Sequence, residues 1–384
     1  MVELAQELID AIIDEVAATD QYCQRPDRKS LQACALASPA FLASSQRRLF
    51  QSLAVKTEWR GMVDAFSAAP HLASYARDVY LDFTPLQSGD DILMARLFTL
   101  LCGVERLVIS TWGTFQWDSF DGVLSSMLAL PSLRCFGFTY CDGVPASLIR
   151  HALSSYEEVV LMHVGISANN LALPQPPRDV DRRNASLKHL AVSPHAASIS
   201  DTLVLIRDDP SLQHIEHLEL CLSKQGTLDG FEEIVLKCSD SLQHLVINFS
   251  KLHDDPIDLP CIPNLRFLTL KASVRKLRLP WSFQDIMATL PQRMPHLEVL
   301  TITIDAEFED YWTDRTHRPD VDEALKKLLG LRDVHFSIST GYPKELEFHG
   351  GIAEKLPMAS GAGLVSFSRW HVGRLYHPMT HFSN

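Results

Sequence analysis

A chain of 384 residues with 46% apolar content can build a sizeable core, and its net charge of −12 has the wrong sign for neutralising a phosphate backbone, which argues against DNA and RNA as partners. The first residues carry Glu3, Glu7 and Asp10 instead of the cationic start of a signal peptide, and no run reaches the roughly 18 uninterrupted apolar residues of a membrane span. A soluble protein of the cytoplasm or nucleus is expected, with its eight cysteines, none in a Cys-x-x-Cys pair, as reduced core residues.

In chain order, residues 4–16 place Leu4, Leu8, Ile9, Ile12, Ile13 and Val16 on one side at helical spacing, with Glu3, Glu7, Asp10 and Asp14 largely opposite. The apolar arc covers about half of that helix, wider than the roughly 100° stripe of a surface helix, and suits contact with more than one neighbour. A polar link at 21–28 holds the helix breaker Pro26, and short helices are expected over 30–42 and 46–50.

A Leu-x-x-Leu-x-Leu pattern then recurs, cleanest at Leu265, Leu268 and Leu270. Related copies start at Ala76, Val104, Leu133, Tyr156, Leu187, Ile215, Leu242, Leu297 and Leu331, at intervals of 23 to 34 residues. In the cleanest copy the last two apolar positions alternate with the β-favouring Thr269, which predicts a short strand with one buried face, and the related copies predict the same. Helices are expected between them over 91–101, 121–130, 145–153, 198–207, 229–237, 281–290 and 320–329. Strand, helix and parallel strand in one sheet make right-handed crossovers.

Two insertions interrupt the pattern. Residues 169–184 include Pro174, Pro176 and Pro177 and read as an exposed loop, whereas 305–320 concentrate Glu307, Phe308, Glu309, Asp310, Tyr311 and Trp312. Near the end, Leu364, Val365, Phe367 and Trp370 suggest a last strand.

The repeat pattern and its spacing resemble leucine-rich-repeat proteins, with Cys141, Ser223, Ser250, Ser273, Asp305 and Ser339 where that family has Asn or Cys. The order Leu4-x-x-Glu7-Leu8-Ile9-x-x-Ile12-Ile13, then Leu31-x-x-Cys34-Ala35-Leu36-x-Ser38-x-x-Phe41 and Arg47-x-Leu49-Phe50, resembles an F-box, with Ala5 in place of its usual proline. Together these are similar to the F-box-like repeat proteins abundant in fungi.

The resemblance implies an α/β chain. A three-helix F-box-like domain (1–55) would precede a curved leucine-rich-repeat solenoid with a parallel inner sheet (56–345) and a C-terminal cap and tail (346–384). It further implies a non-catalytic substrate receptor of an SCF-type ubiquitin ligase, docking on a Skp-family adaptor and through it a cullin. By position in the motif, Leu4, Leu8, Ile12, Leu31, Cys34, Leu36 and Phe41 would contact the adaptor. The alternative is a protein-binding scaffold unconnected to ubiquitin, with the helices capping the repeats.

Candidate target contacts come from the residues themselves. His189, His217 and His244 each precede the first buried residue of a strand in three consecutive copies, and Phe267 and Val299 hold the equivalent places further on. Side chains alternate along a strand, so these face away from the core, and strands about 4.8 Å apart would stack the imidazoles in a row. Tyr311 and Trp312 offer aromatic anchors in a charged loop; the alternatives are that these aromatics fold back on the core and that His is a common filler of its repeat position. No phosphate loop, nucleophile elbow, zinc-protease motif or dinucleotide fingerprint occurs, so neither a cofactor nor intrinsic catalysis is expected, and the target is an unidentified protein.

Overall fold

The computed structural model describes residues 5–18, 27–56, 59–83, 90–111, 115, 117–167, 186–194, 199–222, 228–249, 259–274, 281–306, 319–339, 350–352, 354 and 356–370. The described residues group into two compact units, one up to Ala185 and one within Ser186–Val372. Among the described residues no helix is long and apolar enough to cross a membrane.

The first unit opens with α1 (Gln6–Ala18), α2 (Arg28–Ala37) and α3 (Pro39–Gln51). Asp27 caps α2 by accepting from the N–H groups of Lys29 and Ser30. The expected helices over 30–42 and 46–50 are corrected: the break falls at Ser38, and residues 39–51 form one helix. Pro39 has no N–H to continue α2, while Ser38 is extended (φ −157°, ψ 141°) and its hydroxyl accepts from Ala40 N–H, starting α3 with proline at its first turn. Ile9, Ile13 and Leu31 form the core of this group, with Val16, Ala17, Cys34, Phe41 and Leu49 packed against it.

Helix α3 runs straight into strand β1 (Ser52–Val55), followed by α4 (Trp59–Ala68) and α5 (Pro70–Ala73). These three were not expected from the sequence. Trp59, Val63 and Phe66 are the buried face of α4, at helical spacing that had no counterpart among the repeats. Strands β2 (Asp78–Phe83), β3 (Arg106–Thr111) and β4 (Cys135–Thr139) alternate with α6 (Asp90–Leu100) and α7 (Asp121–Leu128). The unit continues with β5 (Val144–Pro145), α8 (Ala146–Ser155), β6 (Glu158–Val164) and β7 (Ile166–Ser167). Strands β1, β2, β3, β4 and β6 are parallel neighbours in that order, and β5 pairs with β7.

The second unit repeats the plan with β8 (His189–Pro194), α9 (Ile199–Arg207), β9 (His217–Leu222), α10 (Leu228–Cys238) and β10 (His244–Phe249). It continues through β11 (Phe267–Val274), α11 (Trp281–Arg293), β12 (Val299–Ala306), α12 (Pro319–Lys327), β13 (Asp333–Ser339), α13 (Pro357–Gly361) and β14 (Val365–Trp370). Its seven strands are parallel neighbours in chain order. The seven helices expected between strands are all present, with ends within three residues.

The repeat positions are the core. None of the three apolar residues in any of the ten copies exceeds 6% exposure. Register aligns them in columns: Val79, Leu107, Phe136 and Val159 in the first unit, and Leu190, Leu218, Leu245, Leu268, Leu300 and Val334 in the second.

Within each unit, strand entries are tied to their neighbours by backbone. Lys188 O accepts from both Glu216 and His217 N–H at 2.8 and 2.9 Å, and Arg77 O accepts likewise from Glu105 and Arg106. The same positions carry ion pairs of opposite sign, Lys188 with Glu216 and Glu298 with both Arg266 and Arg332. Opposite charges on neighbouring strands reinforce the register.

Where Asn was expected to be replaced, Cys141 is buried, and its Sγ–H is within reach of the carbonyls of Ile109 and Thr139, both at 3.4 Å. Burial pushes this thiol up to about 11. Ser223 and Ser250 lie outside the described residues, as do the insertion at 169–184 and nearly all of that at 305–320.

Gly137 permits the closest approach in the first sheet. A Cβ there would stand 2.9 Å from Val160 Cβ and 3.1 Å from Val160 O. Gly137→Ala is therefore expected to destabilise the chain by about 1–3 kcal/mol. Gly122→Ala, in helix α7 with nothing within 4 Å, should be neutral or slightly stabilising. Urea unfolding of both variants checks the contrast.

Candidate functional site

The imidazole row is present in the second unit. Register places His189 beside His217, His217 beside His244, and His244 beside Phe267. The rings stack with centroids 5.6, 5.2 and 4.1 Å apart and interplanar angles of 17°, 22° and 27°. The next residue in each strand, Leu190, Leu218, Leu245 or Leu268, is buried, so the half-buried rings occupy the opposite face of the sheet. The strand spacing sets the ring spacing. Stacking turns ring faces toward each other and does not converge the nitrogens on one point, an arrangement unlike a metal-ligand set.

Val299 and then Asp333 continue the row in register. The Arg266 guanidinium lies 5.5 Å from the Phe267 ring centroid while bonded to Glu298, whose carboxyl it holds below the usual range. Burial, followed by the charges of His189 and Arg266, pushes the His244 imidazole below its ordinary value. Higher on the same face, Glu219 and Lys271 form an ion pair at 3.3 Å with side chains only 12% and 9% exposed. The register puts β10 between these two residues, so the pair bridges three strands.

Among the proposed adaptor contacts, Leu8, Ile12 and Leu36 are 54%, 44% and 88% exposed. Leu31 is corrected: at 0% exposure it is a core residue of the helical group, because its side of α2 faces Ile9 and Ile13. Cys34 and Phe41 are half-buried against that core. Leu42, not singled out by the motif, is also 42% exposed. Leu4, Tyr311 and Trp312 lie outside the described residues.

A polar cleft of about 470 Å³ adjoins the helices, with Asp10, Asp14, Ser44, Arg48 and Arg77 among its lining. Arg48 pairs with Asp14 at 2.6 Å, and bonds from Ser44 and then Gln6 hold the Asp10 carboxyl below its usual range. These groups join α1 to α3.

The first unit carries a charged row that the sequence reading missed. Asp78, Arg106, Cys135 and Glu158 align across β2, β3, β4 and β6. Arg106 lies 2.9 Å from Glu158 and 3.8 Å from Asp78. Burial pushes both carboxyls up against the pull of Arg106, and it raises the Cys135 thiol well above its ordinary value. Its sequence signal is weak, since two carboxylates, an arginine and a cysteine share one repeat position. Tyr140, just past β4, and His163, near the end of β6, adopt positive φ of 54° and 56° and stack at 4.9 Å. Such backbone is strained for residues with a Cβ.

No family model matches the chain, and no curated protein matches it.

The His244 shift gives a pH prediction. A depressed imidazole means that the unfolded chain binds protons more readily, so stability is complete above about pH 6.5 and falls as pH drops through that value. His244→Gln should show a smaller difference in melting temperature between pH 7.5 and 5.5 than the parent chain.

Proposed function

We propose that the chain is a protein-binding subunit of an SCF-type ubiquitin ligase, with no catalytic part in ubiquitin transfer. Residues 1–55 dock on a Skp-family adaptor, and through it a cullin. The repeats, stacked as a curved leucine-rich-repeat solenoid, capture a target protein in the cytoplasm or nucleus. The observation that carries this reading is the exposure of the helical group. Among its described apolar side chains only Ile9, Ile13 and Leu31 are fully enclosed, while Leu8, Ile12 and Leu36 stand in water at positions where the F-box resemblance puts adaptor contacts. Fully burying one such side chain is worth about 1.5–3 kcal/mol, so a partner covering all three would gain substantially. The half-buried His189, His217, His244 and Phe267 row supports target capture by the repeats, since aromatic side chains are enriched where interfaces hold most strongly.

A second reading, a scaffold whose helices only cap the repeats, is favoured by the join between α3 and the first strands. Gln51 O accepts from Arg77 N–H at 2.9 Å, and Phe50 meets Phe66 edge-on at 6.1 Å. Capping and docking use different faces and are compatible.

The two readings separate by co-purification with a Skp adaptor. The full chain should retain the adaptor, and the triple variant Leu8→Glu, Ile12→Glu, Leu36→Glu should lose it by at least tenfold with little change in melting temperature. An intact chain that captures no Skp adaptor would leave the scaffold reading.

A further inference from the structure

The last two strands of the second unit hold a hydrogen-bonded chain that the docking proposal does not use. Register sets His335 beside Ser366 and Ser337 beside Ser368. His335 Nδ1 lies 2.7 Å from Ser366 Oγ, and its Nε2 lies 2.7 Å from Ser368 Oγ. Ser366 donates to Asp333 Oδ1 at 2.6 Å, and Ser337 Oγ stands 3.3 Å from Ser368 Oγ.

The proton order follows from what each group can do. A carboxylate only accepts, so the single Ser366 proton points at Asp333. The Ser366 oxygen then faces Nδ1 as an acceptor, and Nδ1 carries the ring proton. A neutral imidazole has one N–H, which leaves Nε2 bare to accept from Ser368. At 2.7 Å it is a closer acceptor than Ser337. A serine hydroxyl bonded to an imidazole base, itself oriented through its other nitrogen, is the arrangement that activates a nucleophile.

Access and an oxyanion donor are both present. The His335 side chain is 28% exposed, and Ser366 and Ser368 are half-buried. Val334 N–H donates to Leu364 O at 2.7 Å, which fixes the alternation of β14: Ser366 and Ser368 turn their peptide groups to β13, and Phe367 and Arg369 turn theirs to the other edge. No other described strand pairs with that edge. The Arg369 N–H, next to Ser368, is thus directed away from the ladder, where it can donate to a developing oxyanion.

We propose that Ser368 is a nucleophile activated by His335 and accepts an acyl group from an activated ester. Ser368 Oγ attacks the carbonyl carbon as its proton passes to Nε2. The ester C–O bond breaks, the proton returns from Nε2 to the leaving oxygen, and Ser368 is left as an O-acyl ester beside a free alcohol. No oxidant or metal enters the balance. Asp333 and Ser366 are positioning residues that hold the imidazole in the Nδ1–H form.

The test uses the full folded chain with p-nitrophenyl acetate and, separately, an alkyl fluorophosphonate, in which the P–F bond breaks as the O–P bond forms. Peptide mapping by mass spectrometry should place the adduct on Ser368. Its rate is followed as a function of pH. Ser368→Ala should abolish it, and His335→Gln should slow it about 10²-fold or more while circular dichroism and melting temperature stay close to the parent. Asp333→Asn should slow labelling and displace its pH profile. A folded parent chain with no adduct at Ser368, or a His335→Gln variant that labels as fast as the parent, overturns the proposal.

Discussion

One strand of the type Leu268-x-Leu270 cannot bury its own apolar face, and everything described here follows from the need for neighbours that can. The columns of apolar residues on successive parallel strands meet that need within each unit, with the intervening helices supplying further buried side chains such as Leu97, Leu148, Phe231 and Phe283. Once the buried face is set, alternation sets the other face too. The residue just before each first buried position must point away from the core, and register brings those residues side by side. In the first unit this yields Asp78, Arg106, Cys135 and Glu158; in the second it yields three imidazoles and a phenyl ring.

Much of this was legible in the sequence because it is local and periodic. The ten repeat copies, the seven helices between them and the imidazole row required only spacing and the alternation of a strand. Other features depended on information that spacing does not hold. Ser38 and Pro39 mark a helix boundary through capping chemistry inside an otherwise continuous apolar pattern, so a break was expected several residues later. Leu31 was assigned to a surface by its place in a motif, whereas packing of α1 on α2 encloses it. The His335 chain needed the alignment of β13 with β14 across an intervening segment, and nothing in either strand alone announces that alignment. The charged row in the first unit was missed for the opposite reason, since its members share a position but mix two carboxylates with an arginine and a cysteine.

The fold offers two kinds of surface with different physical demands. The helical group has a small core and several exposed leucine and isoleucine side chains, so a partner would add burial that the group cannot supply alone. The sheet faces are already well packed, and some of their charges pair with one another, as Lys271 does with Glu219. A target gripped there would gain more from shape and ring contacts than from new ion pairs. Matched charges also hold the register of the rows, because Arg266, Glu298 and Arg332 sit at successive strand entries with alternating sign.

The central claim, that the N-terminal helices are a docking surface and not only a cap, is tested most directly by amide hydrogen exchange on the full chain with and without a Skp adaptor. The account predicts added protection in α1 and α2, around Leu8, Ile12 and Leu36, with exchange in strands β8 to β14 unchanged. Protection confined to those strands, or an unchanged pattern at adaptor concentrations that saturate other docking partners of the same adaptor, would contradict it.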